Sequence, residues 1–185
     1  MVEKVRKKYP DVTFGFLAYD LYTRPPIREK PHPNLIPEIA PINYCRAHAM
    51  TDTPICPSRP QIRAIVEGWA KVSPRIAYYN YMLNLAEVTV PYPMIHQMKE
   101  ELPILYANNV VFWQPESMPV YESILPGAVL TTRKSWNPNL DSDAILSEFY
   151  TTFYGAASTP MRIYWQLFDD AWTKKPLHAG SSFSY

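Results

Sequence analysis

Apolar residues in this chain fall into short runs separated by amphipathic or proline-rich stretches. "VTFGFLAY" (12–19) is a continuous β-prone run, of the kind found in strands covered on both faces, as in parallel sheets. "EIAPINYCRA" (38–47), "RIAYYNYML" (75–83) and "NNVVFWQ" (108–114) repeat the signal. Pro41 is expected near the start of the second run, because proline cannot donate to a sheet ladder. Strands are therefore expected near 12–19, 39–46, 75–82 and 108–114.

Helical spacing fills the gaps. "RPQIRAIVEGWAKVS" (59–73) sets Ile62, Ile65, Val66 and Trp69 on one stripe, and "YPMIHQMKEELPILYAN" (92–108) does the same with Ile95, Met98 and Leu102. His96, Glu100 and Glu101 are read as surface residues of that second helix. The link over 20–37 has no helical period and many prolines, so a long irregular loop is expected there. Strands returning about every 30 residues with helices between them predict a parallel α/β arrangement.

From about residue 119 the strand signal stops. "VYESILPGAVLTTRKSW", "DSDAILSEFYTTFYG" and "TPMRIYWQLFDDAW" are helical patterns. Asp141 or Ser142 is the expected N-cap of the middle one and Gly155 its stop. "MVEKVRKK" (1–8) reads as the tail of an amphipathic helix, entered in the middle. The division expected is a partial barrel over 1–118, helices packing on it over 119–175, and a tail over 176–185.

Each predicted strand begins apolar and ends polar or aromatic. The ends carry Tyr19 and Asp20; Tyr44, Cys45, Arg46 and His48; Asn80 and Tyr81, with Asn84 beyond; and Trp113 and Gln114, with Glu116 just after. In a parallel sheet those ends share one side, where α/β proteins bind ligands. Tyr79 and Tyr81 are read as pointing to opposite faces. Trp113 at a strand tip is a natural platform for stacking on a sugar ring. Asp20 and Glu116 are the carboxylates on that side and the only catalytic candidates, with no couple defined. For each there is a structural alternative: a turn cap for Asp20, with Arg46 as its partner, packing for Trp113, and a solvated "QPES" turn for Glu116.

Composition narrows the partners. Eighteen basic and seventeen acidic side chains give +1, so no global field favours nucleic acid or an anionic membrane. No apolar run approaches the roughly 18 residues that span a bilayer, and "MVEKVRKKYPDV" lacks the apolar centre of a signal peptide. Fourteen Tyr and five Trp suit flat apolar ligands with hydroxyl rims. Cys45 and Cys56 can form one disulfide, remain two thiols, or join His48 as three ligands of a metal-dependent hydrolase; no fourth ligand is evident. No cofactor and no metal set are assigned.

Four blocks resemble a known family. "YPDVTFGFLAYDLYTRPP", "YCRAHAMTDTPICP", "IAYYNYMLNLAEVTVPYP" and "SWNPNLDSDAILSEFYTTFYGAASTPMRIYW" are similar to domain-of-unknown-function family 4838. That family is associated with glycoside hydrolase family 163, endo-acting β-N-acetylglucosaminidases of N-glycans. The resemblance implies the second half of a (β/α)₈ barrel followed by helices, and a retaining mechanism in which the substrate's own acetamide is the nucleophile. It further implies that the general acid lies upstream of Met1 and that a missing N-terminal half is a partner. The ligand implied is a glycan, with Asn80 and Tyr81 on its acetamide and Asp20 and Arg46 on its hydroxyls, and the parent protein is expected to be secreted or periplasmic. Asn80 stands where the family more usually has an aspartate, and "FWQPES" replaces a more Gly-rich strand end. The rival expectation is a non-catalytic carbohydrate-binding or scaffold protein.

Overall fold

Four strands form one sheet in which every neighbouring pair runs parallel: β1 (Phe14–Tyr19), β2 (Leu35–Ala40), β3 (Ile76–Tyr81) and β4 (Val110–Glu116), in the order β1-β2-β3-β4. The computed structural model describes residues 1–84, 87–117, 119–174 and 178. Among the described residues six α-helices accompany the sheet: α1 (Val2–Arg6), α2 (Arg59–Val72), α3 (Ile95–Ala107), α4 (Leu125–Trp136), α5 (Ser142–Tyr154) and α6 (Ser158–Thr173). A sheet whose spatial order follows the chain is wound in one direction only. Right-handed crossovers then bring every connection to the same face.

That face is the core. Ala18, Ile39, Ile76 and Tyr78 meet Ile62, Ile65, Val66 and Trp69 of α2 and Leu105 of α3. The stripe read from the sequence is thus the buried stripe, and each aliphatic side chain on it contributes about 1.5–3 kcal/mol relative to exposure. No α-helix joins β1 to β2, only a 3₁₀ turn at Asp20–Tyr22. The loop between them takes that place: Pro25 touches Gly68 of α2, and Trp69 Nε1 donates to the Thr23 carbonyl at 2.8 Å. A second cluster joins Met98 and Leu102 of α3 to Leu130 of α4, Ile145, Leu146 and Phe149 of α5, and Trp165 of α6.

The other face of the sheet is different. Leu17, Glu38, Ala77 and Phe112 form one row across it, Tyr19, Ala40, Tyr79 and Gln114 the next, and Tyr81 with Glu116 the last. Leu17 is 51% and Phe112 56% exposed. Parallel sheets are normally covered on both sides, and all the sheet residues in the core clusters come from the opposite face.

Helix ends follow local chemistry where the sequence supplies it. Asp141 is the N-cap of α5, its carboxylate accepting the Ala144 N–H at 2.7 Å, and Gly155 ends the helix at φ +52°. α3 has no cap of its own, and Met94 before it is left-handed at φ +52°. Asp169, from α6, supplies the cap instead: its two carboxylate oxygens accept the N–H groups of Ile95 at 2.7 Å and His96 at 3.0 Å.

Three expectations are corrected, and a fourth lies largely outside the described residues. β2 lies at Leu35–Ala40, upstream of 39–46, because Pro41 ends the strand where it was expected to begin it. "QPE" belongs to β4, whose register carries one extra residue, Val111, opposite Ile76 and Ala77. Glu101 is fully buried, not on the helix surface. Of the tail expected over 176–185, only His178 is among the described residues.

Candidate functional site

The carboxyl ends of the four strands meet along one edge of the open face. Tyr19 closes β1 and stays 36% exposed. Asp20 follows at φ +50°, its carboxylate held by Asn43 Nδ2 at 2.5 Å. Tyr79 and Tyr81 share a face, with ring centroids 5.2 Å apart. The expectation that they point apart fails because strand residues two positions apart lie on the same side.

Around these rings sit the polar groups. The Tyr79 hydroxyl bonds to the Glu116 carboxylate; burial, and secondarily that bond, push the phenol up to about 12. Gln114, half-buried, stands beside Tyr79, and Glu116 beside Tyr81. The Arg46 guanidinium lies over the Tyr81 ring, 4.4 Å from its centroid, a cation–π contact that is stronger out of water. Burial lowers the Arg46 pKa, with the nearby Tyr92 and Tyr81 phenols opposing. Tyr92 donates to the Arg46 carbonyl and so fixes that stretch of the loop. Asn84 lies beyond β3, half-buried.

Glu38 is a site residue that the sequence reading missed. It lies in the row below the tips, between Leu17 and Ala77. Its Oε1 is buried and has no hydrogen-bond partner among the described residues. Burial raises its pKa. The signal was present, since a glutamate stands inside an apolar strand run, which is seldom neutral in meaning.

Three assigned residues lie elsewhere. Asn80 points to the helix side, buried, with Nδ2 3.7 Å from the Met98 sulfur. Trp113 is in register with Tyr78 and packs against both core clusters. It lines a cleft of about 280 Å³ between α3 and α4, with Leu102, Tyr106, Lys134 and Asn139. His48 is fully buried beside Cys45, its Nδ1 3.3 Å from Sγ. None of the three faces the tyrosine row.

The loop after β2 is anchored by a buried ion pair. Arg59 Nε and Nη2 donate to the two Glu101 oxygens at 2.8 and 2.7 Å, while Nη1 donates to the Cys45 carbonyl at 3.1 Å. Glu101 also accepts the Met50 N–H at 3.0 Å. Although burial opposes the Arg59 charge, the Glu101 carboxylate outweighs it and raises the pKa.

The family model described as Domain of unknown function (DUF4838) matches residues 1–166. The chain belongs to this family. Neither the curated proteins nor the solved structures contain a match to it. In this DUF4838 chain, among the described residues, no helix is long and apolar enough to cross a membrane. The family match and the parallel sheet stand together; neither one assigns a reaction.

Proposed function

We propose that this chain is part of a glycoside hydrolase-like (β/α)₈ barrel acting on N-acetylglucosamine-containing glycans, with the open face of its sheet as sugar-binding wall. One observation carries the reading. Four parallel strands in chain order keep their helices on one face, and the other face gathers Tyr19, Tyr79, Tyr81, Gln114 and Glu116 at the carboxyl ends. A barrel is the closed form of such a one-way sheet, and its ligands sit at that end. Closure by further strands also covers Leu17 and Phe112.

Tyrosine rings stack on the apolar face of a pyranose while amide and carboxylate groups take its hydroxyls. In the retaining, substrate-assisted mechanism the acetamide oxygen attacks the anomeric carbon of its own sugar, and a carboxylic acid protonates the departing oxygen. Tyr81 and the Tyr79–Glu116 pair orient the acetamide. Tyr19, the most exposed of the rings, takes the stacking role. Asp20 is engaged by Asn43 and Glu116 by Tyr79, and neither is assigned as the general acid.

Titration of the chain with di-N-acetylchitobiose, followed by NMR of the aromatic side chains, tests the wall. Binding is expected to perturb the Tyr19 and Tyr79 rings, and Tyr19→Ala to weaken it about tenfold, the equivalent of one ring stacking contact. Unperturbed rings, or equal affinity in Tyr19→Ala, would remove the sugar assignment.

A further inference from the structure

Away from the sheet tips, four side chains from distant parts of the sequence converge. Cys45, His48, Cys56 and His178 each bring one donor atom to a place where all four atoms lie within 4.8 Å of one another. Cys45, His48 and Cys56 are fully buried. His178 arrives from beyond the end of α6, its ring centroid 5.2 Å from that of His48. Tetrahedral zinc, with Zn–S near 2.3 Å and Zn–N near 2.0–2.1 Å, sets its donors about 3.3–3.8 Å apart. The Cys45–His48 pair is already at 3.3 Å, and shifts of about 1 Å bring in the others.

The surroundings are those of thiolate ligands. The Arg59 N–H donates to Cys56 Sγ at 3.2 Å, and the backbone N–H groups of Ala47 and His48 point at Cys45 Sγ. Such donors stabilise negative charge on sulfur. The frame is tied down: Ser58 Oγ accepts the Cys45 N–H at 2.9 Å, Arg59 holds the Cys45 carbonyl, and Trp172 packs against the cluster of Cys45, Ala47 and Cys56. Two sulfurs and two imidazoles, with no carboxylate, select a zinc-like ion over magnesium or calcium.

We propose that Cys45, His48, Cys56 and His178 bind one zinc ion in a closed structural site that fastens His178 to the loop after β2. Four protein ligands leave no position for water, so this metal holds structure and does not hydrolyse. Binding releases the two thiol protons. The site is independent of the carbohydrate reading. Its chemical rival is a Cys45–Cys56 disulfide, which would consume both sulfur ligands.

The test uses the full chain purified without reductant or chelator. Elemental analysis is expected to give about one zinc per chain, and replacement by Co²⁺ to give a sulfur-to-cobalt charge-transfer band with the visible bands of a tetrahedral ion. Cys45→Ser abolishes both. His178→Ala, at the exposed ligand of the set, lowers zinc affinity by more than the tenfold to hundredfold that loss of an outer-shell partner costs, read by competition with a chromophoric chelator. If Cys45→Ser does not fold, the cobalt spectrum and His178→Ala decide the matter. No zinc and no thiolate–cobalt band, an intact mass showing the disulfide, or unchanged affinity in His178→Ala would each overturn the site.

Discussion

Replacing Glu101 with glutamine removes one charge from the most enclosed ion pair of the described chain. The Arg59 and Glu101 side chains are 3% and 0% exposed, so water cannot take over the orphaned guanidinium. Breaking such a pair from one side typically costs about 3–5 kcal/mol, against about 0–1 kcal/mol for a solvated pair. Glutamine keeps an oxygen for the Met50 N–H, so the loss reports the charge and not that hydrogen bond. Against a net stability of about 5–15 kcal/mol, the effect is a large share of the fold. Urea unfolding followed by tryptophan fluorescence should show a lower midpoint with an unchanged slope. Removing both charges, as Arg59→Met with Glu101→Met, does not restore stability fully. It leaves the Met50 N–H and the Cys45 carbonyl unpaired, at about 1–3 kcal/mol each. A loss below about 1 kcal/mol for Glu101→Gln would mean that the pair is solvated and does not anchor the loop.

Two further outcomes follow from local geometry. Gly127→Ala would set a Cβ 2.3 Å from the Pro93 carbonyl oxygen and 3.3 Å from Met94 Cβ; a loss of about 1–3 kcal/mol is expected from calorimetry, and an unchanged melting temperature would deny that α4 packs there. Glu38 has a raised folded-state pKa, so its contribution to stability is intact below the unfolded-state value and is lost as pH rises through the folded one. Glu38→Gln should therefore raise the melting temperature at pH 7 and leave it unchanged in acid below both values; equal shifts at the two pH values would contradict the desolvation of this carboxyl.

Much of the architecture was legible from apolar spacing. α2, with Ile62, Ile65, Val66 and Trp69 buried, and α5, with Asp141 as cap, follow from side chains within a few turns of each other, where local physics decides. β2 was misplaced because two prolines, Pro37 and Pro41, bracket its end, and sequence alone does not say which lies inside the strand. The site was harder. Alternation along a strand pairs Tyr79 with Tyr81 and Tyr78 with Asn80, yet which pair faces helices depends on where α2 and α3 pack. In β4 the extra residue Val111 shifts the alternation, so Trp113 joins Tyr78 on the helix side.

Local pattern thus determined three of the four strands, α2 and α3 between them and their parallel course, because an apolar run and an amphipathic stripe are properties of neighbouring residues. Tertiary structure alone decided the faces and the long-range meetings. Arg59 finds Glu101 across 42 positions, Asp169 caps α3 across 74, and His178 joins Cys45 and Cys56. Buried charges and donor atoms must find partners wherever the packed chain brings them. That place is set by how helices stack, and no short-range periodicity records it.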